Sequence, residues 1–252
     1  MNVQTKAIIL KTQKYKEYDE IITAFTKDYG KIRMFARASK RLKSPLLSGT
    51  QLFSYSDLRL DLRSNGSRLF EAKPVKSFYE FSYDLSKYYL ACFICEVVDK
   101  YQMENQTDSR FFDRIITVFK IMLQTGHIKL IRIIFELFLL ESLGFRPQTY
   151  ECFECHTNDG EKLSFFHLTN GSALCEKCAK NYQIAEKIDR NMIKFFSYVY
   201  KYAKDDKKLS NIKISKVLLE KTDEFLNRYM DIHIGKMNLD SYNILKEEEK
   251  KI

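Results

Sequence analysis

Four cysteines carry the clearest chemistry in this chain: Cys152-x2-Cys155 and, after nineteen residues, Cys175-x2-Cys178. Each CxxC pair forms a knuckle that aims two thiolates at one point. A short polar hairpin then brings the knuckles together, which is what a tetrahedral zinc site requires. Zinc held by four protein thiolates has no open position for a substrate water, so the spacing points to one structural Zn2+ rather than a reaction centre. A pair of disulfides is the alternative. CxxC spacing rarely suits structural disulfides, and the opening residues Met1 to Lys6 show no secretory apolar region. His156 and His167 lie inside the segment as candidate substitutes, although four cysteines already complete the shell. Cys92 and Cys95 share the spacing but sit in Tyr88-Tyr89-Leu90-Ala91-Cys92-Phe93-Ile94-Cys95, an apolar run expected to place them in a buried helix as core thiols.

Charge is the second source of chemistry. Residues 1–78 hold sixteen Lys and Arg against seven Asp and Glu, whereas the remaining residues hold twenty-six of each. The net charge of +9 therefore sits in the first third of the chain, as in a polyanion-binding module attached to a neutral body. Six cations, Lys31, Arg33, Arg37, Lys40, Arg41 and Lys43, fall within thirteen residues. Spaced along a strand and loop, they can neutralise successive phosphates. Phe35, on the same strand face, offers a ring for base stacking or for packing against a neighbour. Farther along, Lys129 and Arg132 lie three apart on a helix start. They are candidates to receive an acidic partner segment, or are ordinary solvated charges.

Enzyme chemistry finds little support. No Gly-x4-Gly-Lys-Ser/Thr loop is present to cradle a triphosphate, and His127, His156, His167 and His233 are scattered without an obvious carboxylate partner. Glu17, Asp19 and Glu20 could ligate a metal in a DNA-processing nuclease, or form ion pairs at a strand end. A zinc-bearing RNA-binding protein is a further alternative, since the sequence does not say which sugar is preferred.

The elements that position these groups follow from periodicity. Short strands are expected over Ala7–Leu10, Glu20–Thr26 and Lys31–Arg37. A last hairpin, Leu52–Leu62 and Ser67–Ala72, turns around Ser64-Asn65-Gly66. In the third strand Ile32, Met34 and Ala36 share one face, and Lys31, Arg33, Phe35 and Arg37 the other. Five short strands in about 75 residues suggest a small closed barrel of the oligonucleotide-binding (OB) type. From residue 81 the period becomes helical, over Asp84–Tyr101, Arg110–Leu123 and Ile128–Leu143, the last ended by Gly144 and Pro147. Asn191–Ala203 and Lys216–Met230 are helical again, and the tail Lys246–Lys251 is expected to fray. The fold class is thus α+β and multidomain. An OB-fold barrel (1–78) precedes a helical domain (79–149), an inserted four-cysteine zinc module (150–181) and C-terminal helices (182–252) that pack on the helical domain. No apolar run approaches the ~20 residues of a membrane span, and a reducing cytoplasm is the expected compartment.

Together these residues resemble the bacterial RecO family of recombination mediators over nearly the whole chain. The opening barrel is matched by Tyr15-Lys16-Glu17-Tyr18-Asp19-Glu20-Ile21-Ile22, Phe25-Thr26, Gly30-Lys31-Ile32-Arg33 and Ala36-Arg37. Phe135-Glu136-Leu137, Leu139-Leu140, Leu143-Gly144-Phe145 and Pro147 follow, then the four cysteines with Asn170-Gly171, and His233-Ile234-Gly235-Lys236 closes the pattern. Ala38 departs from it, where the family usually has glycine. The resemblance implies an OB-fold, a helical body and a zinc module. It also implies a protein of the RecFOR pathway, without enzymatic activity and associated with the nucleoid. Such a protein binds single- and double-stranded DNA, anneals complementary strands and helps RecA load onto DNA coated by single-stranded DNA-binding protein (SSB). RecR and the acidic C-terminal tail of SSB are the implied partners.

Overall fold

Val3, Thr5 and Ala7 turn inward along the first strand while Asn2, Gln4 and Lys6 face water. That alternation makes β1 run from Asn2 to Lys14, well beyond the short apolar stretch that suggests it. The computed structural model describes residues 1–63, 66–160 and 162–249. After β1 come β2 (Glu20–Thr26), β3 (Gly30–Ala36), β4 (Tyr55–Asp61) and β5 (Ser67–Lys76). They close into a barrel in the order β1-β2-β3-β5-β4. β1 serves two neighbours, β4 through Asn2 to Ile8 and β2 from Ala7 onward, and a register shift between Ile9 and Lys11 bends it between them. The barrel closes through a parallel β3–β5 pairing that sets Phe35 beside Arg68. This strand order, with an apolar interior that includes Ile9, Ile22, Ile32, Met34, Leu58 and Leu69, is that of an OB-fold. In the β4–β5 turn, Ser64 and Asn65 lie outside the described residues.

The β2–β3 turn needs a glycine for two reasons. Gly30 has φ +68°, and a Cβ there would stand 2.1 Å from the carbonyl oxygen of Gln106.

The chain divides into two compact units. The first comprises Met1–Phe119 and the segment from Leu239 onward; the second is Lys120–Asn238. In the first, α1 (Leu85–Tyr101) starts where the Asp84 carboxylate accepts from the backbone N–H groups of Ser86 and Lys87, at 3.0 and 3.1 Å. α2 (Ser109–Gln124) begins in this unit, and its Phe111 and Phe112 pack edgewise or tilted on Phe25 of the barrel.

In the second unit α3 (Ile128–Ser142) is buried at every position from Leu130 to Leu140 and stops at Gly144, whose φ is +85°. A three-stranded sheet follows, β6 (Leu163–His167), β7 (Ser172–Cys175) and β8 (Ala185–Lys187), in the order β7-β6-β8. The short α4 (Glu176–Ala179) extends from β7. Then come α5 (Arg190–Lys201), α6 (Asp206–Ser210) and α7 (Lys216–His233). Gly171 in the β6–β7 turn has φ +68°, and a Cβ there would meet the Tyr229 hydroxyl at 2.4 Å. That hydroxyl donates to the Phe145 carbonyl at 3.0 Å, so the hairpin sits flush on α7.

The last helix, α8 (Asp240–Glu249), returns to the first unit. Its Ser241 donates through N–H (3.3 Å) and hydroxyl to Glu96 of α1, and Tyr242 packs on Phe93 with ring centroids 5.3 Å apart. The tail expected to fray is therefore helical from Lys246 to Glu249; Lys250 and Lys251 lie outside the described residues. No helix among the described residues is long and apolar enough to cross a membrane.

Candidate metal centre and nucleic-acid interface

The sheet of the second unit brings the four cysteines together. Their Sγ atoms all lie within 4.8 Å of one another, and those of Cys155 and Cys175 are 3.8 Å apart. A tetrahedron with metal–sulfur bonds of about 2.3 Å has sulfur–sulfur edges of about 3.8 Å, so the donor set fits such an ion. The first knuckle turns tightly because His156 takes φ +56° and its N–H donates to the Cys152 carbonyl at 3.0 Å. The second pair straddles the end of β7 and α4, where the Cys175 N–H donates to the Cys152 sulfur at 3.4 Å.

These backbone dipoles favour charge at the centre. Burial pushes the Cys152 thiol up, but the N–H groups of Cys155, Cys175 and Glu154 outweigh it and bring the pKa down to about 6. Cys178 is instead pushed up to about 12, first by its hydrogen bond to Cys175, then by desolvation and its bonds to Cys155 and Cys152. The first thiolate thus forms readily at Cys152, and the crowding of the other sulfurs opposes ionisation of Cys178. Among the described residues this cluster is the one group of His, Cys, Asp and Glu that converges in this way. His156 and His167 stand aside. The first lies 3.5 Å from Glu151, and the second accepts through Nδ1 from the Asn170 N–H at 3.2 Å. Cys92 and Cys95 lie on α1, both pushed up by burial, Cys95 the more strongly.

On the barrel, β3 alternates as the sequence suggests, with Ile32, Met34 and Ala36 inward and Arg33 exposed. The cations there differ in what they touch. Lys31 is tied to Asp99 at 3.2 Å and Lys40 to Glu20 at 3.0 Å. Arg33 donates to the Gln13 side chain at 3.3 Å, and Phe35 is half-buried edge-on to Tyr15, 5.6 Å between centroids. Arg37, Arg41 and Lys43 are exposed and have no carboxylate partner among the described residues; Arg41 lies 5.3 Å from the Tyr18 ring.

The nearby carboxylates hold this loop in shape. Asp19 Oδ1 accepts from the Ala38 N–H at 2.8 Å. Glu20, only 3% exposed, accepts from the Ser39 hydroxyl at 2.8 Å and pairs with Lys40. The Lys40 N–H closes the arrangement on the Tyr18 carbonyl at 3.1 Å. Asp19 and Glu20 are therefore committed to the loop backbone and side chains, not gathered with Glu17 around a metal.

Sequence reasoning missed Arg68 and Phe70. Both are exposed on β5, and the β3–β5 pairing carries them to the same face as Phe35. The available signal was the alternation Ser67-Arg68-Leu69-Phe70, in which Leu69 is the inward residue.

Residues 82–243 match the family model described as "Recombination protein O C terminal", and residues 1–78 the one described as "Recombination protein O N terminal". The chain belongs to the RecO family. Curated relatives agree over almost full length. A protein named "DNA repair protein RecO" from Alkaliphilus metalliredigens is 29% identical over 249 residues, covering 98% of this chain and 100% of that protein. Proteins of the same name from Acetivibrio thermocellus (29% over 239 residues, 93% and 92%) and Halalkalibacterium halodurans (24% over 246 residues, 98% and 95%) match similarly.

Three positions singled out by the sequence now have a physical account. Ala38 takes φ +54°, a left-handed conformation that glycine adopts without strain and that the Asp19 hydrogen bond holds here. Lys129 and Arg132, expected as a seat for an acidic partner, instead hold this chain's own carboxylates. Lys129 Nζ reaches both Glu220 oxygens at 2.6 and 2.8 Å. Arg132, at 0% exposure, holds Glu136 at 2.7 Å and Asp223 at 2.8 Å. A buried guanidinium already flanked by two carboxylates is not presented to a partner.

Proposed function

We propose that this RecO-family chain is a DNA repair and recombination mediator that binds single- and double-stranded DNA through its barrel and anneals complementary strands. With RecR, it helps RecA load onto SSB-coated DNA. The observation that carries this reading is the set Arg37, Arg41 and Lys43, exposed on one loop without carboxylate partners and adjoined by Arg68. Cations left unpaired on a barrel edge can replace the counterions of two strands at once. This lowers the repulsion between the strands and lets bases pair without nucleotide hydrolysis. Lys31, Arg33 and Phe35 on the neighbouring strand, and Lys40 on the loop, would be supporting contacts, with Lys31 and Lys40 partly neutralised by their partners.

For the four cysteines, zinc suits an all-thiolate tetrahedral set best, and when bound it would offset two of the four thiolate charges and join the two knuckles. Cys152, Cys155, Cys175 and Cys178 then act as structural ligands, with the Cys175 N–H orienting the Cys152 sulfur. RecR and the acidic tail of SSB are expected partners on the strength of the family alone, in the cytoplasm at the nucleoid.

The test is annealing of two complementary labelled oligonucleotides, one coated with SSB, without nucleotide cofactor. Faster duplex formation with intact strands is expected. No acceleration, or strand cleavage on adding magnesium, would overturn the mediator reading.

A further inference from the structure

Beside the loop, a cavity of about 490 Å³ opens on the barrel surface. Four cations surround it, Arg37, Arg41 and Lys43 from the loop and Arg68 from β5. Its apolar wall includes Leu46 and Phe70. None of the four has a carboxylate partner among the described residues. Phe70 is 40% exposed, unusually open for a phenylalanine on a barrel strand. Phosphate affinity alone would not need an aromatic ring at the mouth of a cationic pocket. The combination matches a nucleotide, whose phosphate is anionic and whose base is flat and apolar on both faces.

We infer that this pocket takes one unpaired nucleotide of single-stranded DNA, its base stacked on Phe70 and its phosphate held by Arg68 and the loop cations. The inference rests on the DNA-binding reading and deepens it, because it separates two kinds of contact. Arg37, Arg41 and Lys43 see phosphates in any strand, paired or not. Phe70 sees only a base free to leave its stack, since in a duplex the faces of the bases are covered by their neighbours. The Arg68 guanidinium lies 5.8 Å from the Phe70 ring centroid, within reach of the phosphate belonging to a base on that ring. The pocket would thus bias an otherwise charge-driven surface toward the single strand.

The chain contains no tryptophan, so Phe70→Trp introduces a single indole at the pocket. Its fluorescence is read with three probes: a short oligo-dT, an abasic oligonucleotide with the same number of phosphates, and a duplex capped by hairpins. Binding of oligo-dT should quench the indole, whereas saturation with the abasic strand or the capped duplex should leave it largely unchanged. In parallel, Phe70→Ala should lose at least about fivefold in affinity for oligo-dT, and less for the duplex. Phe70 is exposed, so neither change threatens the barrel interior.

An unquenched indole under saturating oligo-dT, with Phe70→Ala binding all three probes like the parent, would overturn the inference. If Arg41→Glu still weakened binding, the DNA-binding reading would survive. Failure of the parent protein to bind any probe would remove that reading, and this inference with it.

Discussion

Arg132 and the loop pair Arg37 and Arg41 carry the same guanidinium into opposite surroundings. Arg132, on α3, holds one carboxylate of its own helix and one of α7 and has no solvent contact, while the loop arginines stand in water with no carboxylate partner among the described residues. A buried charge must be matched inside the fold, because desolvation costs several kcal/mol per ion, and it is then unavailable to anything outside. An exposed, unmatched cation does little for stability and keeps its whole charge for a polyanion. The contrast extends to the carboxylates. Glu136 and Asp223 neutralise an arginine, whereas Asp19 and Glu20 shape the backbone and side chains of a loop whose arginines they leave free. Counting charges along a sequence cannot separate these uses; only the partners do.

The comparison breaks most visibly where inward charge is densest. Cys152→Ser should release bound metal and disorder the β6–β8 sheet, a larger effect than any change below, measured by metal content and amide hydrogen exchange. A metal-free wild type with full protection across that sheet would contradict the site. Next in size is Arg132→Met, expected to cost about 3–5 kcal/mol in denaturant unfolding because it removes the buried cation that matches Glu136 and Asp223. Replacing all three by apolar residues should recover much of the loss, and failure to recover would mean that the arginine does more than match charge.

Arg37→Glu with Arg41→Glu sharpens the other side. Stability should stay within about 0.5 kcal/mol. DNA affinity should fall across all sequences, and the slope of log affinity against log salt should flatten by about two. An unchanged slope would remove the loop from the interface. The smallest effect has the most telling sign. Glu20→Gln deletes a negative charge and frees Lys40, so charge alone predicts tighter DNA binding. Loss of the Lys40 ion pair, with the amide oxygen still accepting from Ser39, loosens the loop and predicts modestly weaker binding instead. Titration against oligo-dT decides, and tighter binding would show that the loop needs no anchor.

Much of this was legible from sequence where the determinants are local. β2 runs over the expected Glu20–Thr26, the alternation expected over Lys31–Arg37 is kept along β3 as far as Ala36, and the two CxxC pairs converge as their spacing suggests. What escaped depends on distant segments. Nothing near Phe35 announces that Arg68 pairs beside it, because a parallel pairing at barrel closure leaves no local period. The burial of Arg132 was partly visible in hindsight. A helix apolar around most of its circumference must bury whatever charge it carries, and Glu136 stands one turn on to meet it. Asp223, from a helix far along the chain, completes the match and could not be read locally.

The return of α8 to α1 also sets a clock on synthesis. Ser241 and Glu96 are 145 residues apart. At a ribosomal pace of about 5–20 residues per second, α1 emerges roughly 7–30 s before the helix that covers Phe93. Throughout that interval Phe93 lacks the Tyr242 ring that packs on it, and the whole of Lys120–Asn238 is made in between. Completion of the first unit is thereby deferred until the second has been synthesised.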